Sequence, residues 1–250
     1  MSKLADRIRR ASRPQPAPLG FAAAAARKAA PTMLSLVRLS ADEAGKAGEA
    51  AARGADAVII EAIDPRKLKE QAAKANSAAL GVRPHKAVRQ AVASLREAGA
   101  DFAVVDTESA LAESLLEESM GYVLALPANA EDTTLRLLGD LGLDALLVQA
   151  PAEPVTVERL LELRRIAVLS RTPLLAEIPA DADASLLQVL RDSGVAGVVI
   201  EGSALGKLEA LRERIAALPP RGRKRQEHTD AVVPAQAAQA AYDEDEDDED

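Results

Sequence analysis

Four segments of this chain share one grammar, and their spacing constrains the fold more than any other feature. They read Ala-Ala-Arg-Gly-Ala-Asp-Ala-Val-Ile-Ile-Glu (51–61), Arg-Glu-Ala-Gly-Ala-Asp-Phe-Ala-Val-Val-Asp (96–106), Asp-Leu-Gly-Leu-Asp-Ala-Leu-Leu-Val-Gln (140–149) and Asp-Ser-Gly-Val-Ala-Gly-Val-Val-Ile-Glu (192–201). Each is a helix end, a glycine, a short apolar run and one polar residue: Glu61, Asp106, Gln149 and Glu201. Continuous apolar runs of this length belong to parallel strands covered on both faces. A glycine before each run is what a helix C-terminus requires.

The intervals between those four polar residues are 45, 43 and 52 residues, long enough for a strand, a helix, a second strand and a second helix. The sequence between the copies supplies them. Strands are expected at 33–39, 57–62, 79–83, 102–106, 122–126, 145–149, 173–177 and 197–201. Helices are expected at 41–53, 65–75, 86–98, 108–118, 131–141, 156–168, 183–193 and 204–217. Eight βα units within 32–218 predict an α/β fold, a compact (β/α)₈ TIM barrel. An open doubly wound sheet also alternates, but has less reason to show four equivalent quarters.

Outside this core the composition changes. Residues 1–31 form a basic, Pro- and Ala-rich N-terminal arm that opens with an amphipathic helix (Leu4, Ile8 and Ala11 on one side) and continues through Arg-Pro-Gln-Pro-Ala-Pro-Leu-Gly. A flexible arm that partly packs on the core is the expectation. Residues 219–250 run from a basic cluster to eight consecutive acids at 243–250, the composition of a disordered tail, and a protein partner recruited through it is one expectation. The net charge of −8 weighs against duplex nucleic acid, whose binding rests on phosphate neutralisation. With no cysteine, disulfides and thiolate metal sites are excluded. No apolar stretch is long enough for a transmembrane segment, and a cytoplasmic location is expected.

In a barrel, sites form at the C-terminal ends of the strands. There the sequence places Glu61, Asp106, Gln149 and Glu201 on even strands and Arg38, Arg83 and Glu177 on odd ones, with Asp64, His85, Glu108, Asp181, Asp183 and Ser203 in the following loops. Side chains of alternate strands share a layer, so the four even-strand residues should form one polar ring. Two readings follow. In one, the carboxylates Glu61, Asp106, Glu177 and Glu201 act as acid/base groups or hold a divalent cation such as Mg²⁺, while Arg38 and Arg83, with Gln149, hold an anionic substrate group. In the other, Arg38 pairs with Glu61 and Arg83 with Asp106 as a structural ladder, which leaves Glu177 and Glu201 without an arginine. His85 is either a further acid/base group or a solvent-facing histidine.

The stretch Gly-Val-Val-Ile-Glu-Gly-Ser-Ala-Leu (197–205) resembles the end of the phosphate-binding, ribulose-phosphate-binding TIM barrels. That resemblance implies a (β/α)₈ fold, a small phosphorylated or carboxylated metabolite as ligand, and backbone N–H groups of Gly202 and Ser203 as its phosphate contacts. This chain departs from the pattern at Glu201, directly before the glycine, and at Glu-Ile-Pro-Ala (177–180), where paired glycines are usual. A catalytically degenerate barrel serving as an interaction scaffold through its arm and tail is the alternative function.

Overall fold

The computed structural model describes residues 2–12, 32–75, 77–149 and 154–219. Its centre is a closed barrel of eight parallel strands in sequence order: β1 Leu34–Leu39, β2 Ala57–Glu61, β3 Ala79–Arg83, β4 Phe102–Asp106, β5 Gly121–Ala125, β6 Ala145–Val148, β7 Leu174–Glu177 and β8 Val195–Glu201. A helix α1, Lys3–Ser12, precedes them. The outer wall carries α2 Ala47–Ala52, α3 Pro65–Lys74, α4 Arg89–Glu97, α5 Asp132–Leu138, α6 Val157–Ser170, α7 Ala184–Asp192 and α8 Leu208–Ala216. The expected (β/α)₈ architecture is therefore the one observed.

Local chemistry sets the element boundaries. Gly54, Gly99, Gly142 and Gly194, one from each copy of the repeat, all have positive φ, which a side chain would resist as the chain turns into the next strand. Asp64, Thr156 and Asp183 cap α3, α6 and α7 by accepting backbone N–H groups of Arg66, Arg159 and Leu186.

The wall departs from expectation between β4 and β5. In place of a helix over 108–118 there is only a 3₁₀ turn, Ala112–Leu116. Side-chain hydrogen bonds compete with helix propagation here. The Asp106 carboxylate takes the N–H groups of Glu108 and Ser109. The Tyr122 hydroxyl donates to the Ser114 carbonyl at 2.6 Å.

Strand register fixes the interior. Arg38 lies opposite Ile59, Ile59 opposite Gly81, and two residues further along β3 stands Arg83. Repeating that step around the sheet closes it with the shear of a (β/α)₈ barrel. It stacks inward-facing residues in layers of four. Leu34, Ala79 and Gly121 lie lowest, followed by Ala57, Phe102, Ala145 and Gly197, then Leu36, Gly81, Val123 and Leu175, then Ile59, Val104, Leu147 and Val199. The apolar members of these layers form one buried cluster, separate from the larger core between sheet and helices. Phe102 is its only aromatic, and a Cβ on Gly81 would run into the Phe102 ring, so the glycine is there to admit the ring.

The same interior cluster includes Leu4 and Ile8 of α1, which are 0% and 2% exposed. The first part of the segment expected to be a flexible arm that partly packs on the core thus closes the N-terminal end of the barrel. Three aspartates hold it, and they occupy equivalent places in three copies of the repeat. Asp101 accepts from the N–H groups of Lys3 (2.8 Å) and Leu4 (3.0 Å). Asp144 accepts from the Ser2 hydroxyl at 2.5 Å. Asp56 pairs with Arg7 at 3.6 Å, and Arg7 also donates to the Asp56 carbonyl. The fourth copy has Ala196 at this place, buried in the cluster with Leu4 and Ile8. Residues 13–31 and 220–250, which include the acidic tail, lie outside the described residues.

Candidate functional site

Above the apolar layers the barrel turns polar. The same register places Arg38, Arg83, Ala125 and Glu177 in one layer, and Glu61, Asp106, Gln149 and Glu201 in the next, at the C-terminal mouth. The ring expected from the even strands is thus a consequence of the strand register.

Arg38 is the hub of this mouth. Its Nη1 lies 2.5 Å from Glu177 Oε1, its Nη2 donates to Glu201 Oε1, and its Nε stands 3.7 Å from Glu61 Oε1. Burial opposes the charge of Arg38. The hydrogen bond to Glu201 and the charges of Glu177, Glu201 and Glu61 outweigh that and hold the guanidinium more firmly protonated than a free one. The expectation that Glu177 and Glu201 lack an arginine is therefore corrected: both belong to Arg38. A guanidinium donates along several directions at once, so one arginine can serve three carboxylates.

Arg83 stands differently. Among the described residues its side chain makes no hydrogen bond and no salt bridge. Its partner in the ladder reading, Asp106, is engaged instead with the backbone N–H and hydroxyl of Ser109 and the N–H of Glu108. Those bonds, led by the Ser109 N–H, hold the Asp106 carboxyl below the usual range, and the Arg83 charge contributes at longer range. Gln149 is exposed, and its carbonyl accepts from Arg159.

His85 is exposed in the turn between β3 and α4. It lines a cleft of about 540 Å³ with Ala62, Ile63, Asp64, Pro84 and Lys86 among its walls. Ala62 at the edge of this cleft has φ of 50°, a left-handed conformation that costs a non-glycine residue about 1 kcal/mol or more. The N–H of Ala62 donates to the Arg83 carbonyl at 2.9 Å, which ties this turn to the strand that carries Arg83.

The Gly202–Ser203 position is shaped by packing. A Cβ on Gly202 would stand 2.6 Å from Leu39 Cδ2 and 2.7 Å from Glu43 Oε2, so the glycine is explained by what crowds it. Ser203 is exposed. The turn they begin, Gly202–Lys207, is 3₁₀ with a non-helical Ala204. Glu43, which a hydrogen bond from Lys46 holds below the usual carboxylate range, and Glu201 put two negative charges beside it. Asp64 and Asp183 are helix caps, and Asp181 pairs with Lys207 at 3.3 Å. Among the described residues no three His, Asp or Glu side chains are grouped to hold a metal ion, and no helix is long and apolar enough to cross a membrane.

No protein-family model and no curated protein matches this chain. Solved structures do. Thiamine phosphate pyrophosphorylase from Pyrococcus furiosus superposes with a TM-score of 0.54 at 16% identity, over 73% of this chain and 95% of its own. The tryptophan synthase A-subunit from Pyrococcus furiosus gives 0.57 at 15% identity, over 73% and 96%. KGPDC from Streptococcus mutans gives 0.59 at 10% identity, over 73% and 97%. These barrels belong to the ribulose-phosphate-binding group that the 197–205 segment resembles. At such identities the likeness is one of fold.

Proposed function

We propose that this barrel binds a small anionic metabolite, phosphorylated or carboxylated, on the β3–β4 side of its C-terminal mouth, with Arg83 as the cationic contact. One observation carries this reading. Of the two arginines in the mouth layer, Arg38 is occupied by Glu61, Glu177 and Glu201, while the Arg83 side chain has neither a hydrogen bond nor a salt bridge among the described residues. A guanidinium with free donors suits a carboxylate or phosphate, which it meets in paired hydrogen bonds. A cleft of about 540 Å³ opens at the next residue, Pro84, with Lys86 and His85 on its wall and α4 along its side, although Arg83 itself does not line it. Likeness of fold to phosphate-ligand enzymes supports the choice of ligand class.

In this reading Asp106 is ionised at neutral pH and stands next to the anion site as the acid/base candidate, with His85 at the rim. Were a divalent cation such as Mg²⁺ to accompany the ligand, Asp106 would be the mouth carboxylate to hold it, and the ion would supply charge neutralisation on the anion. The Gly202–Ser203 turn takes no part, because Glu43 and Glu201 would repel a phosphate there.

The test is a thermal-shift and calorimetric panel of inorganic phosphate, sugar phosphates and small dicarboxylates, with and without Mg²⁺, on the wild type and Arg83→Gln. A ligand at a hundred times its dissociation constant stabilises the native state by about 2.7 kcal/mol, a readily measured rise. The expected result is a rise in the wild type that Arg83→Gln removes. No rise with any member of the panel would sink the proposal.

The second reading, a barrel without turnover that serves as an interaction scaffold, is favoured by the three carboxylates that occupy Arg38. It predicts a silent panel, and replacing Arg83 would then change nothing in binding.

A further inference from the structure

The layer that holds both mouth arginines is filled on one side and open on the other. Arg38, Arg83, Ala125 and Glu177 stand at one level on β1, β3, β5 and β7. On the β7–β1 side Arg38 and Glu177 meet at 2.5 Å, so long side chains two strands apart at this level reach each other. On the β3–β5 side the same separation lies between Arg83 and Ala125, and the alanine ends at its Cβ. Both residues are partly exposed. Val104 and Leu147, one level below, are 1% and 5% exposed and form an apolar floor. The result is a notch the size of the side chain that Ala125 lacks.

Arg83 is directed toward this notch. It does not line the outer cleft at Pro84, and Glu61, its register neighbour on β2, faces Arg38 instead. Its charge is felt on the opposite side by Asp106 of β4, the strand between β3 and β5. Asp106 is itself engaged with Ser109 and Glu108 and leaves the guanidinium without a hydrogen bond. Gln149 follows β6 at the level above, and its carboxamide has no hydrogen bond among the described residues.

We infer that the anionic group bound at Arg83 is a carboxylate, seated in the space that Ala125 leaves open and completed by the Gln149 amide. The inference rests on the anion reading above and narrows it. Charge makes the choice. The two mouth layers carry four carboxylates, Glu61, Asp106, Glu177 and Glu201, against two guanidinium groups. A phosphate monoester adds about −1.5 to −2 charges to a mouth that is already negative. Its three oxygens also need more donors than one arginine and one amide bring together. A carboxylate adds one charge and two oxygens, which the planar fork of a guanidinium meets in paired hydrogen bonds. Ala125 is thereby the specificity-determining position, because a longer side chain there takes the place of the ligand's carboxylate.

Ala125→Glu builds that carboxylate into the notch, so the geometry can be tested without a ligand. The test reads the melting temperature of the full chain, alone and with acetate, succinate or inorganic phosphate, each with and without Mg²⁺. Without ligand, Ala125→Glu should hold or raise Tm beside Arg83, and should lower it by roughly 2–4 °C in the Arg83→Gln background. With ligand, the wild type should respond more strongly to the carboxylates than to phosphate. Arg83→Gln, Ala125→Glu and Ala125→Leu should each weaken carboxylate binding about tenfold or more. An equal cost of Ala125→Glu in both backgrounds overturns the notch, whatever the wild type binds. So does an Ala125→Leu variant that binds succinate as the wild type does. A stronger response to phosphate that Arg83→Gln removes overturns the carboxylate and leaves the anion reading standing. A wild type that responds to none of the three overturns this inference, and the wider panel of sugar phosphates and dicarboxylates then decides the anion reading on its own.

Discussion

Arg38 and Glu177, 139 residues apart in sequence, meet at 2.5 Å across the mouth of the barrel. The contact joins the first strand to the seventh. With Glu201 on the eighth strand and Glu61 on the second, it ties the closing seam of the barrel to its opening strands.

Replacing Arg38 with Gln leaves partly buried carboxylates facing one another. The expected loss is about 1–3 kcal/mol, seen as a fall in Tm of roughly 3–10 °C. Glu177→Gln should cost more than Glu201→Gln, because the Glu177 side chain is 24% exposed and that of Glu201 65%. Thermal unfolding of the three variants checks the order.

Helix α1 should behave as part of the core. Leu4→Ala is expected to lower stability by about 2–4 kcal/mol, and removal of residues 2–12 should open the barrel floor and expose its apolar interior. Urea unfolding measures the first, and binding of a hydrophobic dye measures the second. If the helix were a dispensable arm, neither would change.

Gly81 and Phe102 should be energetically coupled. Gly81→Ala forces a methyl group into the Phe102 ring and is expected to cost about 1–3 kcal/mol or more. Phe102→Leu alone leaves a void and also destabilises. The double variant should lose less than the sum of the two, which a double-mutant cycle in urea would read directly.

Two aspartates should respond to pH in opposite senses. Burial pushes the Asp144 carboxyl up, although the Ser2 hydroxyl eases it. The folded state thus holds that proton more tightly than the unfolded chain, and Asp144 disfavours folding at neutral pH. Asp144→Asn should raise Tm at pH 7, with the gain disappearing as pH falls through the raised value. Asp106 is held low by Ser109, so its contribution is present above the ordinary aspartate value of about 3.9 and is lost below it. Asp106→Ala should cost about 0.5–1 kcal/mol at pH 7, modest because the carboxylate is largely exposed, and the deficit should shrink in acid. Melting curves across pH 3–7 separate the two.

Much of this fold can be read from the chain because its determinants are local. The apolar runs of the repeat, the glycines that take positive φ after the helices and the return of one polar residue per quarter are all properties of short windows. Together they placed every strand within a few residues and put Glu61, Asp106, Gln149 and Glu201 in one layer. The helix expected at 108–118 failed because its rival is a side chain, Tyr122, that reaches back from the following strand to the Ser114 carbonyl. A finer signal was also present. Gly-x-Asp recurs at 54–56, 99–101 and 142–144 and lapses at 194–196, and those aspartates hold α1.

The sequence by itself determined the alternation, the count of eight and the polar ring, since each follows from periodicity and from the two-residue step of strands. Tertiary structure alone decided which charges meet and what closes the floor. Arg38 chose Glu177 and Glu201 over an exclusive pairing with Glu61, and Leu4 and Ile8 went into the barrel. Closing a sheet into a cylinder brings residues separated by most of the chain within hydrogen-bond reach, and no local spacing encodes that distance.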